Sequence, residues 1–190
     1  CPCCQLTAAA SGGGAVYLGS RGVSPGDVRM PTVTATRDGG ATFGERIAVG
    51  GTPWQIDGCP LKPTALAAED RFVYTLVHNG AEQPPGLLFA RSTDGGRSFG
   101  PAVRVHPEAA VSDSPALAAP SRGLYAVWHA KAGGARRLFM QTSTDHGESF
   151  SPVSELPAPG GTGSYPAAAP APDGGAVVVW QQGEQILAAK

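Results

Sequence analysis

Cysteine has the widest chemical range of any residue type in this chain. Four are present, three of them in Cys1-Pro2-Cys3-Cys4, with Cys59 standing alone. An even count suits disulfides in an oxidising compartment, and clustered thiols also suit a metal. Adjacent Cys3 and Cys4 are poorly placed to bond each other, because disulfide geometry is restrictive. Two pairings remain: Cys1–Cys4 with Cys3–Cys59, or Cys1–Cys3 with Cys4–Cys59. A thiolate site for copper or zinc, joined by His78, is the second reading, although Cys-x-Cys-Cys is not a usual zinc spacing. A redox pair from Cys1 to Cys4 is the third, and it lacks the following helix that lowers a thiol pKa. No other cofactor is expected.

Carboxylates recur with more order. TRDGGATF (36–43), STDGGRSF (92–99) and STDHGESF (143–150) share one pattern: Ser/Thr, any, Asp, any, Gly, any, Ser/Thr, Phe. Asp38, Asp94 and Asp145 are separated by 56 and then 51 positions. An Asp in a turn accepts bonds from nearby backbone N–H groups, and Gly40, Gly96 and Gly147 can take positive φ. Phe43, Phe99 and Phe150 are expected to tuck back against the fold. The boxes therefore read as structural. One carboxylate per turn supplies too few oxygens for a good calcium site.

A second pattern runs in phase. The stretches at 5–20, 64–79, 115–130 and 166–181 each hold two short apolar runs around a polar or Gly-rich turn, and Tyr17, Tyr74 and Tyr125 lie 57 and 51 apart. Alternation at period two marks strands. Each unit reads as four: A as in 65–68, B as in 72–78, C as in 87–91 and D as in 102–105. A repeat of about 50 residues holding four strands is a β-propeller blade. The fold expected is an all-β propeller of four-stranded antiparallel blades. Blades fall at about 1–52, 59–108 and 112–157, with a partial fourth at about 163–190 that stops before a further Asp turn. The chain reads as part of a larger ring, and as a subunit or fragment of a larger assembly. It begins at Cys1 without Met, which reads as a processed or truncated start.

Bulk properties exclude some partners. Net charge is -1 with 15% charged residues, so no basic footprint for nucleic acid exists. No apolar run approaches the roughly 18 residues of a membrane span. Gly 27 and Pro 18 favour many turns.

These repeats resemble the Asp-box (bacterial neuraminidase repeat) proteins, the sialidase-like propellers. CPCCQ (1–5) and WQIDGCP (54–60), each ahead of a unit, also look like a group of uncharacterised bacterial secreted sialidase-like proteins. That likeness implies a six-bladed ring in the typical propeller range, with Cys1 internal to the parent protein and an extracytoplasmic location. In such a propeller the boxes mark one face, and the D–A and B–C loops share the other. The B–C loops are expected at about 20–30, 79–86 and 130–137, and the D–A loops at 50–63, 106–115 and 157–166. Repeat phase puts the four cysteines at matching entrances of two neighbouring inner strands.

Sialidases use an arginine triad, a Tyr nucleophile helped by Glu, and an Asp acid/base. The Phe/Tyr-Arg-Ile-Pro segment is absent here, and Arg29-Met30-Pro31 is a faint echo. Tyr165 is the tyrosine on a D–A loop. Asp57, Tyr165, Arg29 and Asp27 are thus the catalytic candidates, and Trp54, Asp57, Arg21, Arg29 and Asp113 the candidates for a binding face. A solvated loop role is the plainer expectation for the charged ones, and His106, His129 and His146 read as surface or packing residues. The leading functional reading is a non-catalytic binding or assembly module, meeting a protein or glycan on the D–A/B–C face. The alternatives are a sialidase-like hydrolase completed by further blades and a copper or zinc module.

Overall fold

The computed structural model describes residues 5–58, 61–81, 85–105, 112–156 and 161–190. All four cysteines, and so every disulfide, metal or redox reading of them, lie outside the described residues. No α-helix occurs among the described residues.

Four antiparallel sheets follow one another along the chain. The first runs β1 (Thr7–Ala10), β2 (Val16–Ser24), β3 (Val28–Thr36), β4 (Ile47–Ala48), with a short β5 (Trp54–Gln55) also pairing β3. The second is β6 (Ala65–Glu69), β7 (Phe72–Asn79), β8 (Gly86–Ser92), β9 (Val103–Arg104). The third is β10 (Ser112–Ala118), β11 (Leu124–Ala132), β12 (Ala135–Ser143), β13 (Ser154–Glu155). The fourth has three strands: β14 (Ser164–Pro170), β15 (Ala176–Gln182) and β16 (Gln185–Ala189). This is the expected blade pattern, in chain order.

Alternating residues face the neighbouring blade, and three apolar clusters form between successive sheets. Tyr17 and Val33 of blade 1 meet Leu66, Val73 and Val77 of blade 2. Tyr74, Leu76 and Phe89 of blade 2 meet Leu124, Ala126 and Trp128 of blade 3. Val127 and Leu138 of blade 3 meet Val178 and Trp180 of blade 4. Trp128 is fully buried, and a side chain of that size dominates its interface.

The three Asp turns are built alike. Ser92 Oγ donates to Asp94 Oδ1 at 2.7 Å and accepts from Gly96 N at 2.8 Å. Asp94 also accepts from Ser98 N at 3.0 Å and Ser98 Oγ at 2.6 Å. Thr36, Asp38, Gly40 and Thr42 repeat this set, as do Ser143, Asp145, Gly147 and Ser149. The donated hydroxyl bonds hold all three carboxyls well below the usual range. The second and third turns are also clasped from the blade before: Arg37 donates to Gly95 O, and Arg91 donates to His146 O at 3.0 Å and to Glu148 at 2.8 Å.

Two expectations change. Phe99 and Phe150 pack against the blade before them, but Phe43 is 49% exposed, since no described blade precedes its own. The segments 20–30 and 130–137 are mainly paired strand, not loop. The β2–β3 ladder is continuous from Val16↔Thr36 to Ser24↔Val28, and β11–β12 from Leu124↔Ser143 to Ala132↔Ala135. Their turns shrink to 25–27 and to Gly133-Gly134. Positive φ at Gly26, Asp27, Gly133 and Gly134 lets the chain reverse within so few residues.

Candidate functional site

The face opposite the Asp turns carries a polar column that repeats with the blades. Arg21, His78 and His129 lie 57 and 51 positions apart, the same spacing as Tyr17, Tyr74 and Tyr125. Each occupies one strand-B position and reaches the start of the next blade's inner strand. Arg21 Nη2 donates to Lys62 O at 3.1 Å and His78 O at 3.3 Å. His78 Nδ1 donates to Ser112 O at 3.3 Å. His129 Nδ1 accepts from Tyr165 N at 3.1 Å. The two imidazoles therefore hold opposite tautomers. Burial pushes both pKa values down, reinforced by Lys62 at His78 and Arg136 at His129, so both are neutral at pH 7.

Charged residues tie the entrances together, and Asp113, expected in a solvated loop, lies in β10 opposite His129. Lys62 forms an ion pair with Asp113, whose other oxygen accepts from Ser114 N at 2.6 Å. β10 and β14 begin with matching register shifts, and Ser114 and Tyr165 there take positive φ of 47° and 53°. Such a backbone costs about 1 kcal/mol or more in a non-glycine residue. It turns the Tyr165 ring outward: 57% exposed, edge-on to His129 at 5.3 Å, with the Arg136 guanidinium 5.8 Å from its centroid.

Between these entrances lies a cleft of about 410 Å³. Leu61 and Pro63 of blade 2, Ser114 and Pro115 of blade 3, and Tyr165 and Pro166 of blade 4 line it, with Gln5 beside blade 1.

The remaining candidates separate. Arg21 and Arg29 are strand residues only 8% and 5% exposed, which corrects their reading as solvated loop groups. Both face blade 2, because they share strand faces with Tyr17 and Val33. Arg29 Nη2 pairs with Asp27 at 3.2 Å, while its Nε and Nη1 have no hydrogen-bond partner among the described residues. Trp54 packs over Gly80, 5.7 Å from the His78 ring and 5.9 Å from the Arg21 guanidinium. Asp57 is exposed in the turn after Trp54. Asp27 and Arg29 are thus brought together, as are Arg21 and Trp54. Tyr165 finds its partners in His129 and Arg136. Among the described residues no group of three or more His, Cys, Asp or Glu could hold a metal.

The column of Arg21, His78 and His129 is not among the sequence candidates as a set. Its signal is the shared spacing with the repeat tyrosines. His146 sits elsewhere, on the Asp-turn face. It occupies a position held by glycine in the other two turns, at φ 57°, and stacks on Phe72 at 4.1 Å.

No family model matches the chain, and no curated protein matches it. Solved structures do. The chain is similar to the Hadza microbial sialidase Hz136, with a TM-score of 0.67 at 14% identity, over 97% of this chain and 43% of that one. It is similar to the NanB sialidase from Streptococcus pneumoniae, with a TM-score of 0.61 at 11% identity, over 87% and 25%. It is similar to the Trypanosoma rangeli sialidase, with a TM-score of 0.60 at 15% identity, over 96% and 35%. The fold is a sialidase-like β-propeller. The chain spans less than half the length of each of these proteins.

Proposed function

We propose that this chain is a non-catalytic binding module, working outside the cytoplasm, whose D–A/B–C face takes a glycan or protein ligand. The cleft between the inner-strand entrances carries the reading. Among the described residues that line it, Tyr165 has the only ionisable side chain. Glycoside hydrolysis needs a proton donor beside a nucleophile or base. Here Lys62 is committed to Asp113, His78 to Ser112 O and His129 to Tyr165 N, which leaves no described carboxylate or imidazole beside Tyr165 free to act as acid or base. Prolines and an outward tyrosine ring give a rigid platform that loses little entropy when covered.

Arrays of glycans and of peptides, probed with the protein and with Tyr165→Ala, test this. The expected result is a bound subset whose signal falls about tenfold in the variant, the loss of about 1.4 kcal/mol of contact. Ligands that bind the variant undiminished would overturn it. A sialidase-like hydrolase completed by further blades is the second reading, and the fold likeness to solved sialidases favours it. It predicts sialoside cleavage that Tyr165→Phe abolishes. For the copper or zinc reading, elemental analysis of protein purified without chelators decides.

A further inference from the structure

A second cleft of about 470 Å³ opens on the same face, between blades 3 and 4. Its walls are Lys131 and Arg136 from blade 3, with Thr162, Ser164, Gln181 and Gln182 from blade 4, and glycine backbone between them. No carboxylate is among the described residues that line it.

The two cations are held side by side. Gly133 and Gly134, at φ 59° and 82°, form the two-residue turn of the β11–β12 hairpin. That turn fixes Lys131 directly across from Arg136. Like charges at directly opposed positions destabilise an antiparallel pair. Both side chains are exposed, and neither has an ion-pair partner among the described residues. Gly163 N donates to Arg136 O at 2.9 Å, which ties the blade 4 wall to the hairpin.

The repeat supplies a control. The Asp-turn spacings of 56 and 51 carry Arg29 onto Arg136. Between blades 1 and 2 the corresponding space holds Trp54, packed on Gly80, and Arg29 is buried and paired with Asp27. Between blades 3 and 4 the counterpart is open, and its arginine has no acid partner among the described residues.

We propose that the Lys131–Arg136 cleft is a binding site for an anionic glycan, with the two cations gripping a sulfate or uronate group. Arginine binds such planar or tetrahedral oxyanions through paired N–H donors, and lysine adds a point charge. Amide and hydroxyl side chains beside them offer both donors and acceptors for sugar hydroxyls. The volume falls within the usual range for small-ligand pockets. Its described lining shares no residue with the Tyr165 cleft, although Arg136 also lies 5.8 Å from the Tyr165 ring, and the proposal does not rest on Tyr165 contacting ligand.

Calorimetric titration of the protein tests it, using a heparin-derived hexasaccharide, hexagalacturonate, a neutral dextran hexasaccharide and a polyglutamate peptide. Expected is binding of the sulfated sugar, the uronate sugar or both, weakened at least about tenfold in K131Q/R136Q and retained in Lys131→Arg. The double variant should unfold at no lower denaturant concentration, since it removes a like-charge pair. Four results would overturn the proposal: no anionic sugar bound at about 1 mM, equal binding of dextran, tighter binding of polyglutamate than of either sugar, or unchanged affinity in the double variant.

Discussion

Replacing the same glycine by alanine in each Asp turn separates backbone strain from packing. Gly40, Gly96 and Gly147 hold equivalent positions, at φ 96°, 77° and 78°. An L-residue there pays about 1–2 kcal/mol whatever surrounds it. A Cβ at Gly40 would meet nothing within 4 Å. At Gly96 it would lie 3.0 Å from Tyr17 Cε1, and at Gly147 2.8 Å from Phe89 Cζ. Both rings are buried at blade interfaces and have little room to move, so overpacking adds about 1–3 kcal/mol. The expected losses are therefore about 1–2 kcal/mol for Gly40→Ala and about 2–5 kcal/mol for Gly96→Ala and Gly147→Ala. Urea unfolding followed by tryptophan fluorescence reads them, with m held common across the set. Equal losses at all three positions would refute the claim that these turns are pressed onto the preceding blade.

Other consequences are smaller. Gly80→Ala would set a Cβ 2.2 Å from Trp54 Cε2; it should displace the indole and red-shift emission, and an unchanged spectrum would count against the Trp54 packing. Asp94→Ala removes the acceptor for Ser98 N, Ser98 Oγ and Arg97 N. At so exposed a turn, solvent screening limits the loss to about 1–2 kcal/mol by chemical denaturation. His78 and His129 have lowered pKa values in the folded state, so the unfolded chain takes up protons first. Stability should therefore be flat above the ordinary histidine value of about 6.5 and fall as pH drops below it. The depressed carboxyls of Asp38, Asp94 and Asp145 add a further loss below about pH 4. A denaturation midpoint that holds steady from pH 7 to pH 5 would contradict the histidine assignment.

Local chemistry made the fold readable. The Asp turns are closed by residues at most four positions apart, so their signature survives in the chain as a short motif. Strands such as 72–79 announce themselves through alternation. Features set by distant contacts were harder. The ladder from Ser20 to Met30 is hidden by a Ser, Gly and Pro composition that resembles a loop, and only pairing across the hairpin orders it. Strand β5 has two residues, and it forms because Trp54 has Gly80 to pack against, information carried by another blade. Arg21 and Arg29 read as solvated for the same reason. The column through His78 and His129 was legible, but only through the spacing of the tyrosines, because the histidines near it in sequence, His106 and His146, belong to other parts of the repeat.

The proposed face binds without catalysing, with Tyr165 as a contact residue beside a neutral His129. Release of fluorophore from a fluorogenic sialoside by the protein, measured beside Tyr165→Phe, tests it most directly. Both should release it no faster than buffer alone. Sustained turnover by the protein that disappears in Tyr165→Phe would contradict it and make Tyr165 a nucleophile.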